Sequence, residues 1–397
     1  MNLTSLGPSD ARRIVVLGYV VRGPMGGMAW HHLQYVMGLR DLGHEVHFLE
    51  DSGDTEYCCY DPSRNVTDTD PTFGLRFASD CFSRTGLQDR WAYFDAHANR
   101  WHGPASERSR EIIRSADLLI NLSASNTARP WFDEIEVRAL VDTDPLFTQV
   151  RHLTDPARKA LADRHNRFLT FAENIDAPDC RIPDDGYPWK PTRQPIVLDA
   201  WPVVEPPPEA RFSTVMQWSS YPAVEFAGHS YGMKSDSFSD YLDLPGQVGL
   251  HFELALGGTS APRAALRERG WVLQNPNEVA ADPWSYQRFL QRSGAEFTIA
   301  KHGYVVSRSG WFSERSAAYL ASGRPVVTQD TGFSAWLPTG EGLLSFSTPD
   351  EAGAACREVL RAGETHRRAA RALAEEHFGA EKVLRRLLAD VWGPVPE

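Results

Sequence analysis

Short apolar runs rich in valine, isoleucine and leucine alternate with longer segments of mixed polarity along this chain. The first run, residues 13–19, ends at a glycine-rich loop, and residues 30–42 then carry apolar side chains at helical spacing before Gly43. Another apolar run covers residues 45–50. A strand, a helix and a second strand in this order predict a parallel sheet with a right-handed crossover.

The same pattern recurs on both sides of a proline-rich segment at residues 182–208. Further strands are predicted at 116–122, 137–141, 212–218, 249–256, 297–300 and 324–328, and a helix at 316–322. Because proline is excluded from the interior of helices and central strands, the proline-rich segment is expected to be a semi-rigid connector. The sequence therefore predicts two tandem α/β domains.

The connector and the last predicted helix set the expected domain boundaries. Residues 1–203 form the first domain, 204–210 the linker and 211–375 the second domain. The tail, residues 367–392, is predicted to be helical, with a row of apolar side chains on one face: Val383, Leu384, Leu387, Leu388 and Val391. Such a face requires a surface to pack against.

Composition limits the classes of partner. The 397 residues include 52 acidic and 41 basic side chains, a net charge of −11 that repels a phosphate polymer, so no nucleic acid partner is expected. The five cysteines form no CxxC pair and fit a reducing cytoplasm. No stretch approaches the roughly 18 apolar residues of a membrane span, and residues 1–13 lack the apolar core of a signal peptide. We therefore expect a cytoplasmic protein without a membrane span.

Candidate chemistry in the first half begins at the glycine loop. Gly26 and Gly27 allow the backbone to approach a ligand and offer amide donors to phosphate or sugar oxygens, with a plain turn as the alternative. His31 follows at the start of the predicted helix, where an anionic ligand would be received. Asp142, at the end of a predicted strand, is a candidate general base or a cap of the next helix. Glu173 is a further candidate to accept or position a proton.

Two strings match known motifs, and their contexts argue against both. Asp142-Thr143-Asp144 resembles the D-x-D pattern that holds divalent cations, but its place in the first domain speaks against that role, and no metal site is predicted. Residues 228–232, G-H-S-Y-G, match G-x-S-x-G, in which Ser230 would be the nucleophile of an α/β-hydrolase. That motif needs an unbroken apolar strand before it, and Pro222 interrupts the preceding segment.

The densest group of ligand-binding residue types lies in the segment that begins at Lys301. Small and hydroxyl residues, including Gly310 and Ser313, precede a predicted helix whose amide groups would point at an anion. Lys301 and Arg315 would neutralise that anion, and Glu314 would accept hydrogen bonds from ribose hydroxyls. This predicts a socket for a nucleoside diphosphate. The alternative is that Ser313 is only a helix cap and Arg315 a solvated side chain.

Lys234, one of only five lysines, lies among glycines after the strand predicted at 212–218. Its position would allow it to clamp a diphosphate. A solvated surface lysine is the alternative.

The order of these features resembles that of GT-B glycosyltransferases. The resemblance is carried by the glycine loop, the proline-rich connector, S-G-W-F-S-E-R-S-A-A-Y-L-A-S-G-R-P-V-V-T at 309–328 and H-F-G-A-E-K-V-L at 377–384. It is closest to the spore-maturation-type branch, in which S-E-R likewise precedes L-A-x-G-x-P-V-V.

The resemblance implies two Rossmann-like domains that face a cleft, a sugar nucleotide on the second domain and a last helix, 376–397, that crosses back to the first. It implies transfer of a sugar from a nucleoside-diphosphate sugar, UDP-linked, to a small-molecule or glycan acceptor, without a metal or a further cofactor. Lys234 would take the place of the residue that clamps the diphosphate, with Arg315 as its partner. The two glutamates of the E-x(7)-E motif of retaining members are replaced by Gly310 and Ala318, which leaves the stereochemical outcome open.

The sequence is also compatible with other activities. They are a sugar-nucleotide epimerase or hydrolase on the same scaffold, an α/β-hydrolase that uses Ser230, and a non-catalytic protein that binds a nucleotide sugar. The missing glutamates motivate the last of these.

Overall fold

The computed structural model describes residues 11–393; residues 1–10 and 394–397, which are the outer ends of the predicted first domain and last helix, lie outside this range. Ten strands come first: β1 (Arg13–Leu17), β2 (Glu45–Asp51), β3 (Cys59–Asp61), β4 (Val66–Asp68), β5 (Trp91–Asp95), β6 (Arg100–His102), β7 (Leu118–Leu122), β8 (Val137–Asp142), β9 (Arg167–Thr170) and β10 (Lys190–Pro191). The helices among them are α1 (Gly26–Asp41), α2 (Thr72–Arg84), α3 (Ser109–Arg114), α4 (Phe147–Thr154) and α5 (Pro156–Ala162).

Eight of these strands form one sheet in the order β10-β9-β8-β7-β1-β2-β5-β6. All neighbours are parallel except β6, which runs antiparallel to β5 at the edge. The central strands are continuous apolar runs because helices cover both faces of a parallel sheet, and Ile14, Val15, Val16 and Leu17 are all fully buried. Strands β3 and β4 make a separate hairpin.

The second half repeats this architecture with strands β11 (Phe212–Gln217), β12 (Val224–Phe226), β13 (His229–Tyr231), β14 (Phe252–Gly257), β15 (Trp271–Gln274), β16 (Ala295–Thr298), β17 (Val326–Gln329) and β18 (Leu343–Phe346). Its helices are α6 (Lys234–Phe238), α7 (Leu244–Val248), α8 (Arg263–Glu268), α9 (Pro276–Val279), α10 (Pro283–Gln291), α11 (His302–Ser307), α12 (Glu314–Ala321), α13 (Pro349–Arg361), α14 (Gly363–His377) and α15 (Ala380–Trp392). A six-stranded parallel sheet has the order β15-β14-β11-β16-β17-β18, and β12 and β13 form an antiparallel hairpin. The predicted pair of α/β domains is confirmed.

Helix α1 connects the two halves. Trp30 donates from its indole nitrogen to the carbonyl of Pro283 at the start of α10 (2.6 Å) and packs against Trp201, which is fully buried in the connector. One continuous apolar cluster therefore includes residues of α1, α10, α12, α14 and α15.

The connector differs from its prediction at one point. Lys190 and Pro191 form a two-residue edge strand that pairs with β9, a position in which the missing amide of proline is tolerated. The remainder of the segment carries no further strand of either sheet.

The end of the chain crosses back to the first half. The tail predicted to be helical over 367–392 consists of two helices, since α14 ends at His377 and α15 starts at Ala380. Between them, the carbonyl of Phe378 and the amide of Ala380 both hydrogen-bond to the backbone of Ile196. Helix α15 then packs on α1, where a side chain at Gly38 would lie 2.5 Å from Leu384. No helix between residues 11 and 393 is both long and apolar enough to cross a membrane.

Candidate functional site

The carboxyl ends of the two parallel sheets face each other. Asp144, just after β8, accepts a hydrogen bond from the ammonium of Lys301, just after β16, at 2.7 Å. Asn174, after β9, donates to the carbonyl of Gly332, after β17, at 2.9 Å. Loops at the carboxyl ends of parallel strands are where open α/β folds bind ligands. The space that these loops border is the candidate site.

Lys234 begins α6, and its partly buried side chain brings an ammonium group to this space. The amide of Ser235 donates to the carbonyl of Trp218 (3.0 Å), which fixes the start of α6 beside the end of β11. Within residues 11–393 the ammonium has no hydrogen-bond partner. Burial, and after it the charge of Arg315, lowers the pKa of Lys234 well below its usual value. The alternative of a solvated surface lysine does not describe this environment.

Arg315 lies in the first turn of α12 and is held on all sides by the second domain. It donates to Glu296 Oε1 (2.5 Å), the carbonyl of Val215 (2.8 Å) and Thr298 Oγ1 (2.8 Å). Glu296 is fully buried, and its other carboxylate oxygen has no partner in the described chain. The alternative that Arg315 is solvated is wrong. The residue ties α12 to β11 and β16 and places a second positive charge beside Lys234.

Ser313 and Glu314 form the start of α12. Ser313 caps the helix, since its Oγ accepts from the amide of Arg315 at 3.2 Å. No residue in the range 11–393 donates a hydrogen bond to the Glu314 carboxylate. Burial has the largest effect on the pKa of four side chains, lowering that of the histidine and raising those of the tyrosines, and the negative charge of Glu314 makes a smaller contribution that favours the protonated form of each: Tyr19, His31, Tyr35 and Tyr286. Glu314 therefore lies at the boundary between the two domains.

Lys301 has a protein partner across the same boundary. Besides Asp144, it donates to the hydroxyl of Tyr221 at 2.9 Å, and Tyr221 and Tyr304 both donate to Asp144. This network ties the two halves together. Of the three predicted cations, Lys234 alone lacks a partner among the residues that the structure describes.

Gly310 and Ala318 stand where the E-x(7)-E glutamates would be. Gly310 has φ +74°, and a Cβ there would lie 2.7 Å from Asn174, so both conformation and space exclude a side chain. Ala318 is buried one turn after Glu314 on the same face of α12. Glu314 therefore occupies the helix face of the second missing glutamate, one turn nearer the start of the helix.

Gly26 and Gly27 serve the packing of α1 on the second domain. The amide of Gly26 donates to the carbonyl of Ala280 (2.8 Å), and a side chain there would collide with the backbone of Asp282. A Cβ at Gly27 would lie 3.0 Å from the ring of Tyr286. The Gly26 amide is thus not available to a phosphate, and the close approach that the two glycines permit is to Asp282 and Tyr286 of the second domain.

Asp142 is buried and saturated with hydrogen bonds. It accepts from Thr148 (2.6 Å), Gln149 (3.0 Å) and Thr170 (2.7 Å), and burial raises the pKa of the Asp142 carboxyl. The first two donors lie in α4, so the carboxylate anchors the start of that helix. This favours the capping alternative over the role of a general base.

The other two acid–base candidates differ in whether their side chains already have a partner in the protein. Glu173 forms an ion pair with Arg193, whose guanidinium stacks on Trp336 at 4.2 Å. His31 is 8% exposed, and its Nε2 has no hydrogen-bond partner in residues 11–393. Burial lowers the pKa of His31, so the ring is neutral near pH 7.

Ser230 does not occupy a nucleophile elbow. It lies in β13, the second strand of an antiparallel hairpin, and is exposed. An elbow requires a sharp turn between a buried strand and a helix. The backbone around Ser230 therefore lacks the geometry that the α/β-hydrolase alternative requires. In the described part of the chain, no three His, Cys, Asp or Glu side chains are grouped so as to hold a metal ion.

Glu296 is the site residue that the sequence pattern does not reveal directly. The strand predicted at 297–300 begins one residue after it, whereas β16 spans Ala295–Thr298 and buries it. The signal in the sequence that could have indicated this residue is a single acidic side chain next to an uncharged apolar run. A carboxylate buried there needs a cation nearby.

Sequence comparison finds no protein-family model and no curated protein that matches the chain. Solved structures match over almost its whole length. An α-glucosyltransferase in complex with UDP-glucose and DNA containing an abasic site has a TM-score of 0.60 at 11% identity, covering 96% of this chain and 99% of its own. HepE of Anabaena, in complex with UDP and glucose, has a TM-score of 0.55 at 10% identity, covering 96% and 100%. Sucrose-phosphate synthase from Thermosynechococcus elongatus has a TM-score of 0.51 at 12% identity, covering 95% and 100%. At such identities the likeness concerns the fold alone. The two facing parallel sheets and the C-terminal helix packed on α1 agree with it, and the chain therefore has the GT-B fold of glycosyltransferases.

Proposed function

We propose that the protein is a glycosyltransferase that moves a sugar from a nucleoside-diphosphate sugar, UDP-linked, to a small-molecule or glycan acceptor. The observation that carries this proposal is the Lys234 ammonium group, which belongs to a partly buried side chain, is close to Arg315 and has no protein partner in the described range. An unpaired, partly desolvated cation beside a second one is unfavourable unless an anion joins them. A diphosphate between the two domains supplies that anion.

The same residues stabilise the leaving group. Transfer of the sugar leaves negative charge on the diphosphate, and a site without a metal has to balance it with cations and oriented amides. In this proposal Lys234 contacts the diphosphate directly. Arg315 attracts the diphosphate through its positive charge without touching it, and the start of α12 adds the positive end of the helix dipole. Glu314, next to these groups, accepts hydrogen bonds from hydroxyls of the donor.

The acceptor approaches from the first domain in this proposal. Among His31, Asp142 and Glu173, only His31 combines an unpartnered ring nitrogen in residues 11–393 with a pKa lowered by burial. A neutral imidazole is able to take a proton from an acceptor hydroxyl. His31 is therefore the preferred base or positioning group, and Asp142 and Glu173 are the less suited candidates because both are engaged.

A non-catalytic nucleotide-sugar binder is the second candidate function. It is favoured by Gly310 and Ala318, which leave both positions of the E-x(7)-E motif without a carboxylate. Both functions require nucleotide binding, and only the first releases UDP from a UDP-sugar.

Calorimetric titration with UDP, GDP and ADP tests the shared part of the proposal. We expect UDP to bind and to raise the melting temperature by an amount that grows with the logarithm of the ratio of UDP concentration to Kd. UDP release from UDP-glucose and other UDP-sugars, assayed with glycan and small-molecule acceptors, then separates the two functions. Absence of binding by all three nucleotides would contradict both.

UDP binding is expected to take up a proton in the pH range between the lowered pKa of Lys234 and the usual pKa of a lysine. Burial lowers the pKa of Lys234 well below its usual value, so the free protein carries a neutral amine in that range. A bound diphosphate favours the ammonium form and raises this pKa, and the shift draws a proton from solution. Titrations in two buffers of different ionisation enthalpy measure the uptake, and Lys234→Met should remove it. Equal heats in both buffers would contradict the assignment.

A further inference from the structure

A groove at the β5–β6 end of the first sheet lies apart from the candidate site. It contains a cavity of about 550 Å³, a volume within the range of pockets that bind small molecules. All of the residues that line this cavity belong to the first domain. They include three aromatic and three charged side chains: Phe94, Trp101, Trp131, Arg110, Arg129 and Glu134.

The aromatic side of the groove is continuous. Phe94 of β5 and Trp101 of β6 are directly opposite each other in the antiparallel register, so their side chains project from the same face of the sheet. Their ring centroids lie 5.2 Å apart, and Trp101 lies 5.9 Å from Trp131 of the turn at 130–134. Trp131 is buried beneath the other two rings, which stay partly exposed. Aromatic faces grouped at a surface are typical of binding sites.

The charges at the groove balance one another. Arg110 donates to Glu134 at 3.0 Å, and Arg129 donates to both carboxylate oxygens of Asp51 at 2.7 and 2.9 Å. Three guanidinium groups and three carboxylates form the ion pairs there: Arg110, Arg114, Arg129, Asp51, Asp54 and Glu134. A charged ligand would have to compete with pairs that already exist, so this balance favours a neutral ligand.

A neutral oligosaccharide matches both the aromatic faces and the balanced charges. A pyranose ring has a flat face of C–H groups that packs against an aromatic ring, and its hydroxyls donate and accept hydrogen bonds around the edge. The half-exposed guanidinium of Arg110 keeps N–H groups for hydroxyl acceptors, and the carboxylate of Glu134 keeps lone pairs for hydroxyl donors. We propose that the groove binds a neutral oligosaccharide, with one sugar ring on the face of Trp101 and its hydroxyls towards Arg110 and Glu134.

This oligosaccharide site is separate from the cleft between the two domains. In the strand order of the first sheet, β5 and β6 lie two and three strands beyond β1, which corresponds to about 10–15 Å at the usual spacing of strands. The hydrogen bonds of Arg110 and Arg129 described above also stay within the first domain. We therefore expect the oligosaccharide to bind equally well with and without UDP, independently of the function proposed above.

An array of neutral, sialylated and sulfated oligosaccharides, probed with the labelled protein, tests the ligand class. We expect neutral members to retain the protein, and calorimetry with the best of them then gives the Kd with and without UDP. Trp101→Ala should weaken this binding about tenfold or more, because truncation of a tryptophan at the centre of a site removes its main contact surface. Trp392→Ala, at an exposed tryptophan of α15, is the matched control and should leave the affinity unchanged.

A second variant covers the case in which Trp101→Ala loosens the β5–β6 hairpin. Arg110 is half exposed and Glu134 keeps Arg114 as a partner at 3.4 Å, so Arg110→Met should leave the melting temperature unchanged. It should weaken oligosaccharide binding about fivefold, through the loss of one hydrogen bond. Unchanged affinity in either Trp101→Ala or Arg110→Met would overturn the inference. So would competition by UDP, preferential retention by the charged members, or an array on which no neutral member binds.

Discussion

The Lys234→Ala variant is expected to bind UDP about 100-fold more weakly than the wild type and to lose sugar transfer almost completely. Loss of one partner of a charge pair that the ligand buries weakens binding by about 2–5 kcal/mol, a range of about 30-fold to several thousandfold that includes this factor. The effect should be large because Lys301 and Arg315 cannot replace Lys234: each is already paired with a carboxylate, Asp144 and Glu296 respectively. Calorimetry measures the affinity, and UDP release from a UDP-sugar measures the activity.

The same substitution should not destabilise the protein. The Lys234 ammonium makes no hydrogen bond to the described residues, and its environment disfavours the charge. The melting temperature should therefore stay the same or rise, as is common when a functional residue in an unfavourable environment is removed. Lys382→Ala is the control, since it changes the net charge equally but removes an exposed ion pair with Glu376. Equal losses of UDP affinity in both variants would show that only the overall charge matters.

The fold was accessible to sequence reasoning because its determinants are local. The runs predicted as strands at 13–19, 45–50 and 137–141 correspond to β1, β2 and β8, and each is a short apolar segment followed by polar residues. The last helix was predicted from residue 376, whereas α15 starts at Ala380. The exact position of the break between α14 and α15 depends on hydrogen bonds to Ile196, which lies far away in the chain.

In the candidate site, too, some features follow from neighbouring residues and others depend on contacts between distant parts of the chain. The cap at Ser313 and the placement of Lys234 near glycines follow from the order of neighbouring residues. The pairing of Lys301 with Asp144, by contrast, joins residues from different domains. Sequence spacing also does not distinguish a cation that binds a ligand from one that neutralises a buried carboxylate. That distinction depends on Glu296, which reaches Arg315 only after β16 and α12 have packed together.

Arg315→Ala is expected to lower the free energy of unfolding by about 3–5 kcal/mol, the usual effect of removing one partner of a buried ion pair. Glu296 is fully buried, and one of its oxygens already lacks a partner in the described chain, so loss of the guanidinium leaves a buried carboxylate without its main neutralising group. The hydrogen bonds to Val215 and Thr298 are lost at the same time. Urea denaturation measures the change. Because the variant loses structure as well as charge, its nucleotide affinity alone says little about a direct contact between Arg315 and the diphosphate.

The double variant Arg315→Leu/Glu296→Leu separates the two effects. Replacement of a buried ion pair by apolar side chains of similar volume is often neutral, so the double variant should be more stable than Arg315→Ala by about 2 kcal/mol or more. With folding restored, its UDP affinity reports the electrostatic contribution of the pair. Arg315 and Glu296 carry opposite charges, so their joint removal should weaken UDP binding far less than Lys234→Ala does. If the double variant instead matched Lys234→Ala in UDP affinity, Arg315 would be a direct diphosphate contact and Lys234 would not be the principal one.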